Sequence, residues 1–266
     1  MGWFLFILLA LLVAGGWLAV VVYADHLVRQ GRYDQALRLV PFLAMSGIGR
    51  SRLRADALTD AGRYEEAARV LRDVIHRVRG KHVTKTARVK TCFDLENLGN
   101  VLMETGRFEE AQRFFLDASR LYPYHSVWAT GMAEALLRQG GSPEGALAHS
   151  EKALELFQRG AERVTSSSRL GTILATKAWA LAACGHGVEA QKVIDAALKT
   201  PARKTKGPLA QVHYKAGMSF LALSDHRGAK DHFVRGAEVD PVGRWGRLCA
   251  EALRRQSDPS PSLKDE

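Results

Sequence analysis

Two hydrophobic patterns follow one another along this chain. From Trp3 to Tyr23 the residues "WFLFILLALLVAGGWLAVVVY" form one uncharged block. Beyond it the apolar positions become periodic, recurring every three or four residues and broken at intervals by glycine. In "CFDLENLGNVLMETGRFEEAQRFFLDASRLYP" (residues 92–123), Leu95, Leu98 and Leu102 keep that interval before Gly106, and Phe108, Ala111, Phe114, Phe115 and Ala118 keep it after. This is the signature of amphipathic helices on both sides of a turn. Gly106 takes positive φ at no steric cost and caps the first helix, and Pro123 stops the second. The unit is an antiparallel helix pair, and the fold class that follows is all-α.

The break itself is written repeatedly. "GRYDQA" stands at 31–36, "GRYEEA" at 62–67 and "GRFEEA" at 106–111. The same Gly-to-Ala offset recurs in weaker form at Gly141 and Ala146, Gly185 and Ala190, and Ser224 and Ala229. Each part of the hexapeptide has a physical role in a helical hairpin. The glycine turns the chain and the aromatic packs. The acids sit in the first turn of the next helix, where they complement its dipole, and the alanine lets two helices cross closely. The pair "EE" at 65–66 and 109–110 is therefore structural rather than an acid/base couple.

This pattern resembles the tetratricopeptide repeat (TPR) family over roughly residues 24–242. Leu98, Gly99, Gly106, Phe108, Ala111, Phe115, Ala118 and Pro123 carry the resemblance in one unit, and Gly217, Phe220, Ala229, Phe233 and Pro241 in the last. The unit around Gly185 keeps Ala178, Leu181, Ala190, Ile194 and Ala197. The last unit departs from the pattern at Ser224 and Gly236. The marker positions lie 31, 44, 35, 44 and 39 residues apart, so two repeats are lengthened as in kinesin light chain type arrays. The resemblance implies a TPR-like α-solenoid of about five to six helical hairpins over residues 31–242. Residues 243–266 read as a helix end and a disordered tail, ending in "RRQSDPSPSLKDE".

The first block changes the picture. Its 21 residues span about 30 Å as a helix, the thickness of a bilayer's hydrocarbon core. A cleaved signal peptide would want a basic start, a shorter apolar run and a small-x-small cleavage site. No Lys or Arg precedes this run, so the reading is an uncleaved transmembrane anchor through residues 3–23. Counting back from Gly31, residues 1–30 form an anchor helix that continues into the first repeat. Arg29, Arg32 and Arg38 follow the span, which by the positive-inside rule places residues 24–266 in the cytoplasm. The expected protein is single-pass, in a bacterial inner membrane, with contact to anionic lipid through those three arginines. Short anchors ahead of TPRs are similar to bacterial inner-membrane assembly factors, including regulators of lipopolysaccharide synthesis. The Cys-rich metal module of those regulators has no counterpart in this sequence.

Charge and cysteine usage bound the chemistry. The net charge is +10, from 38 Lys+Arg against 28 Asp+Glu, which suits acidic partners. Three cysteines, Cys92, Cys184 and Cys249, are too few and too scattered for a disulfide framework. The sequence has no GxxxxGK[ST], HExxH, GxSxG or CxxC. Cys184 and His186 in "CGHG" lack two further ligands at metal-site spacing. No catalytic residue, cofactor or metal is expected, and the chain reads as a non-enzyme.

The TPR resemblance implies a concave groove, lined by the first helix of each pair, that receives a protein or peptide. Its candidate positions are Glu96, Asn97, Asn100 and Met103 in the third repeat, Trp179 in the fifth, and Tyr214, Met218 and Leu221 in the sixth. An exposed Trp, Tyr and Met together would make an apolar peptide site. For any one of them, packing in the core is the competing reading. The expected function is a membrane-anchored scaffold or adaptor that supports assembly or regulation of a complex. The alternative is a basic surface binding anionic lipid or nucleic acid. Nucleic acid is the weaker partner, because acids interleave with the bases along most helices and no stacking-aromatic motif is present.

Overall fold

A computed structural model gives the arrangement of residues 20, 22–24, 26–28, 30–42, 47–78, 85–160, 167–200 and 206–257. These are all-α, and they fall in two compact units, Met1–Arg79 and Gly80–Glu266.

In the N-terminal unit, residues 22–24 and 26–28 are helical, and the chain turns at Gly31 with φ 73°. The amide of Arg32 closes that turn on the carbonyl of Leu27 at 2.9 Å. Helix α1 (Tyr33–Leu39) follows and runs into a short 3-10 turn, Val40–Phe42, where Pro41 supplies no amide. Helices α2 (Gly47–Asp60) and α3 (Tyr64–Val78) form the next hairpin around Gly62.

In the C-terminal unit the helices are α4 (Lys85–Glu104), α5 (Phe108–Leu121), α6 (Val127–Gln139), α7 (Pro143–Arg159), α8 (Ser167–Ala183), α9 (Gly187–Leu198), α10 (Lys206–Ala222), α11 (His226–Val239) and α12 (Arg244–Ser257). Successive first helices α4, α6, α8, α10 and α12 touch one another and make one layer. The second helices α5, α7, α9 and α11 each pack against the first helix before and the first helix after. That two-layer stacking of hairpins is a TPR-like solenoid.

The packing explains the residue pattern. All six motif alanines, Ala36, Ala67, Ala111, Ala146, Ala190 and Ala229, are buried. Phe115 of α5 lies wholly inside, wedged between Gly99 of α4 and Gly131 of α6. A Cβ built on Gly99 would stand 2.6 Å from the Phe115 ring, so the glycine is required by close approach. Phe233 of α11 repeats the arrangement against Gly217 of α10. The Arg of the hexapeptide also has a structural role: Arg63 grips Glu66 through Nε at 2.6 Å and Nη2 at 2.7 Å, and Arg107 pairs with Glu110 three residues on.

Three expectations change. The fourth turn places its left-handed residue at Gly140, φ 72°, rather than at Gly141. An extra residue there lets Ser142 cap α7 by accepting a hydrogen bond from the Gly145 amide at 3.0 Å. The C-terminal helix α12 runs to Ser257, so Arg254 and Arg255 belong to a helix and not to the tail.

The localisation is the third and larger correction. No helix among the described residues is long and apolar enough to cross a membrane. The one described helix of 20 residues, α4, carries Arg88, Lys90, Asp94, Glu96 and Glu104 along its length. Most of the proposed span, residues 3–19 with 21, lies outside the described residues, as do Arg29 and the last nine residues of the expected tail. The assignment of residues 24–266 to the cytoplasmic side of a bacterial inner membrane is therefore overturned. Membrane contact through 3–23 and lipid contact through Arg29, Arg32 and Arg38 are left without support.

Candidate functional site

The inner face of the C-terminal unit is built where charged side chains from alternate helices converge. Glu104 closes α4. Arg138 from the end of α6 binds its carboxylate through both guanidinium arms, Nη1 to Oε1 at 2.9 Å and Nη2 to Oε2 at 3.0 Å. Arg244, the first residue of α12, donates to the same carboxylate and also to the carbonyl of Asn100 at 3.4 Å. A second pair lies beside the first. Lys215 of α10 donates to Glu134 Oε2 of α6 at 2.7 Å and to Thr176 Oγ1 of α8 at 2.8 Å. Arg138 Nη1 stands 3.9 Å from Glu134 Oε1 and joins the two pairs.

These contacts show how the layer curves. Helices α4 and α12 are four steps apart in the layer, yet Arg244 reaches Glu104. Arg169 of α8 likewise reaches Glu96 of α4 at 3.4 Å, with its guanidinium over the Phe93 ring at 5.4 Å. The first helices thus face a common interior, and α12 occupies part of it. Trp245 completes the cover: Arg244 lies over its ring at 4.6 Å and Lys215 at 5.9 Å, and Tyr214 packs against it at 5.6 Å.

Burial sets the electrostatics. Burial alone would raise the Glu104 carboxyl, but Arg244 and Arg138 outweigh it and hold that carboxyl at about 2. For Arg138, burial works against the charge and Glu104 more than restores it, leaving the guanidinium more firmly protonated than usual. Glu134 is likewise kept below the ordinary carboxylate range, mainly by Lys215, against its own burial. Burial pushes the Lys215 ammonium down from its usual value, and Glu134 only partly opposes this. Two carboxylates face three cations, so the cluster carries a net positive charge. The buried Nε of Arg244 finds no hydrogen-bond partner among the described residues. Nothing in this arrangement presents a nucleophile or a poised acid/base pair. What it does is brace five helices, α4, α6, α8, α10 and α12.

The eight residues expected in the groove divide in two. Glu96, Asn97, Asn100, Met218 and Leu221 are partly exposed. Met103, Trp179 and Tyr214 are core, at 1%, 4% and 7% exposure. Tyr214 packs on Phe233 at 6.1 Å as well as on Trp245, and burial raises its hydroxyl to about 12. Met218 and Leu221 pack against that same cluster. An exposed Trp–Tyr–Met platform is therefore not formed. The residues that do converge, Glu104, Glu134, Arg138, Lys215 and Arg244, were not singled out in the sequence. For Glu134 and Lys215 the signal was present as a lone charge inside an apolar run, in "GMAEALL" and "VHYKAGMSF".

Family models described as tetratricopeptide repeat match residues 17–40, 51–73 and 95–122. Those three stretches are similar to tetratricopeptide repeats. Two solved structures share the fold. A thermophilic TPR protein of Thermus thermophilus aligns with a TM-score of 0.53 at 17% identity, over 78% of this chain and 100% of that chain. A chain of the APC/C hetero-tetramer Cut9–Hcn1 aligns at 0.56 and 14% identity, over 92% of this chain and 47% of that one. No curated protein sequence matches this chain. Within the TPR frame, Glu104, Glu134, Lys215 and Thr176 all stand on first helices, the side that forms the inner layer.

Proposed function

We propose that the chain is a TPR scaffold that takes a protein or peptide segment along the inner layer of its C-terminal unit. In this reading it supports the assembly or regulation of a complex, and it acts by binding rather than by catalysis. The observation that carries it is the set of partly exposed side chains on that layer, Glu96, Asn97 and Asn100 on α4 with Arg169 of α8 facing them. With Trp179 and Tyr214 committed to the core, the partner meets a polar strip instead of an aromatic platform. The solved Cut9–Hcn1 assembly pairs a similar fold with a second protein.

Site-specific photocrosslinking tests this. A crosslinker at Asn97 is expected to trap a discrete protein species that a crosslinker at Lys230, on the exposed side of α11, does not. Recovery of the same species from both positions, or of none from Asn97, would overturn the reading.

A further inference from the structure

The N-terminal unit contains a cavity of about 570 Å³, lined by Asp34, Arg38, Arg50, Ser51, Arg54 and Arg63 together with Leu37, Val40, Pro41 and Leu58. Its position follows from the local fold. Arg50, Arg54 and Leu58 recur every fourth residue on one face of α2. Arg38 lies in the last turn of α1, Val40 and Pro41 form the turn after it, and Arg63 precedes α3. Four guanidiniums thus face one space against a single lining carboxylate.

That carboxylate is already engaged. Asp34 Oδ1 accepts from Arg63 Nη1 at 2.8 Å, and Arg63 is held on its other side by Glu66. The remaining wall presents Arg38 and Arg54, with Glu66 acting on Arg54 electrostatically; the Ser51 hydroxyl donates to the Gly47 carbonyl at 3.1 Å and leaves its oxygen lone pairs toward the space. Arg38 and Arg54 come to the space from two different elements, α1 and α2, and their like charges favour an anion between them. We infer that this cavity is a receptor for a phosphomonoester dianion. A carboxylate brings one charge and two oxygens, which one guanidinium fork saturates. A phosphomonoester brings nearly two charges and three acceptor oxygens, which match two or more guanidiniums converging from different elements. The volume lies in the range of small-ligand sites, roughly 300–1,000 Å³. The site lies within the N-terminal unit and stands independently of the reading of the inner layer.

Isothermal titration of the full chain tests it with four probes: inorganic phosphate, glycerol 3-phosphate, a phosphoserine pentapeptide and the same pentapeptide unphosphorylated. At least one phosphorylated probe is expected to saturate a single site, with the unphosphorylated peptide silent. The tightest of the three identifies whether the group arrives free, on a small molecule or on a polypeptide. Arg54→Gln is expected to weaken binding roughly tenfold to a hundredfold, the loss typical of one hydrogen-bonded charge contact. Arg38 and Arg54 are exposed, so both Arg54→Gln and Arg38→Gln should keep the native helical content by circular dichroism. Absence of saturable binding by every phosphorylated probe overturns the inference. Binding that survives Arg38→Gln with Arg54→Gln in a folded chain overturns it equally.

Discussion

Replacing Glu104 by Gln keeps the shape of the side chain and removes the charge on which Arg138 and Arg244 converge. The cost can be worked from two directions. The fall of the Glu104 carboxyl from its ordinary 4.5 to about 2 corresponds to about 3.4 kcal/mol, at about 1.36 kcal/mol per pKa unit. With that side chain only 2% exposed, solvent screening removes little of it. Breaking a buried ion pair on one side costs about 3–5 kcal/mol by general experience, because the partner cations stay buried and uncompensated. The two figures agree, so E104Q is expected to lose about 3–4 kcal/mol at pH 7, measured by urea denaturation followed by circular dichroism. The pH dependence carries a second check. A depressed folded-state pKa contributes stability that is fully present above the unfolded value and is lost as pH falls through the folded one. The wild-type chain should therefore lose this increment between about pH 5 and pH 2, and E104Q should be flatter across that window. A variant within about 1 kcal/mol of wild type at pH 7, or one with an unchanged acid slope, would show that the network does not carry the weight assigned to it.

Three further outcomes are expected. Gly99→Ala drives a methyl to 2.6 Å from the Phe115 ring and should destabilise by about 1–3 kcal/mol in thermal melts; an unchanged melting temperature would refute the wedge. Ser224 holds the left-handed conformation, φ 61°, that glycine holds in the other turns. Ser224→Gly should therefore stabilise by about 0.5 kcal/mol, the strain relieved exceeding the unfolded-state entropy added, and a lower melting temperature would count against this. His213 and His232 meet through their Nδ1 atoms at 3.0 Å, and burial, with His232 and Arg235 adding to it, lowers His213 to about 4. Because the unfolded imidazole protonates first, stability should fall as pH drops from about 6.5 toward 4; His213→Gln should reduce that fall, and an identical pH profile would refute it.

Much of the architecture is legible in the chain, for reasons that are local. Gly106, Ala111 and Phe115 state a turn, a close crossing and a wedge within about ten residues, and the buried alanines and positive φ angles follow directly. The inner face is less legible because it is made by side chains far apart in sequence. Glu104 and Arg244 are 140 residues apart, and no period in the sequence links them. Trp179 and Tyr214 illustrate the opposite error. Their helical register pointed to the inner layer, but register alone does not tell whether a later segment covers them, and the helix bearing Trp245 covers Tyr214. The expected membrane span lies almost wholly outside the described residues, and no helix among the described residues is long and apolar enough to cross a membrane.

The reach of Arg244 back to Glu104 changes how this repeat array is made and lost. Stacked repeats ordinarily fray from an end and tolerate trimming, since each unit leans only on its neighbours. Here the last helix fastens the first of its unit. During synthesis the Glu104 carboxylate must await a residue that leaves the ribosome 140 positions later, so the final bond forms only when the whole unit is out. A contact of that separation slows folding but joins the two ends of the unit in one cooperative step, so shortening the chain before Arg244 should loosen α4 as much as it removes α12.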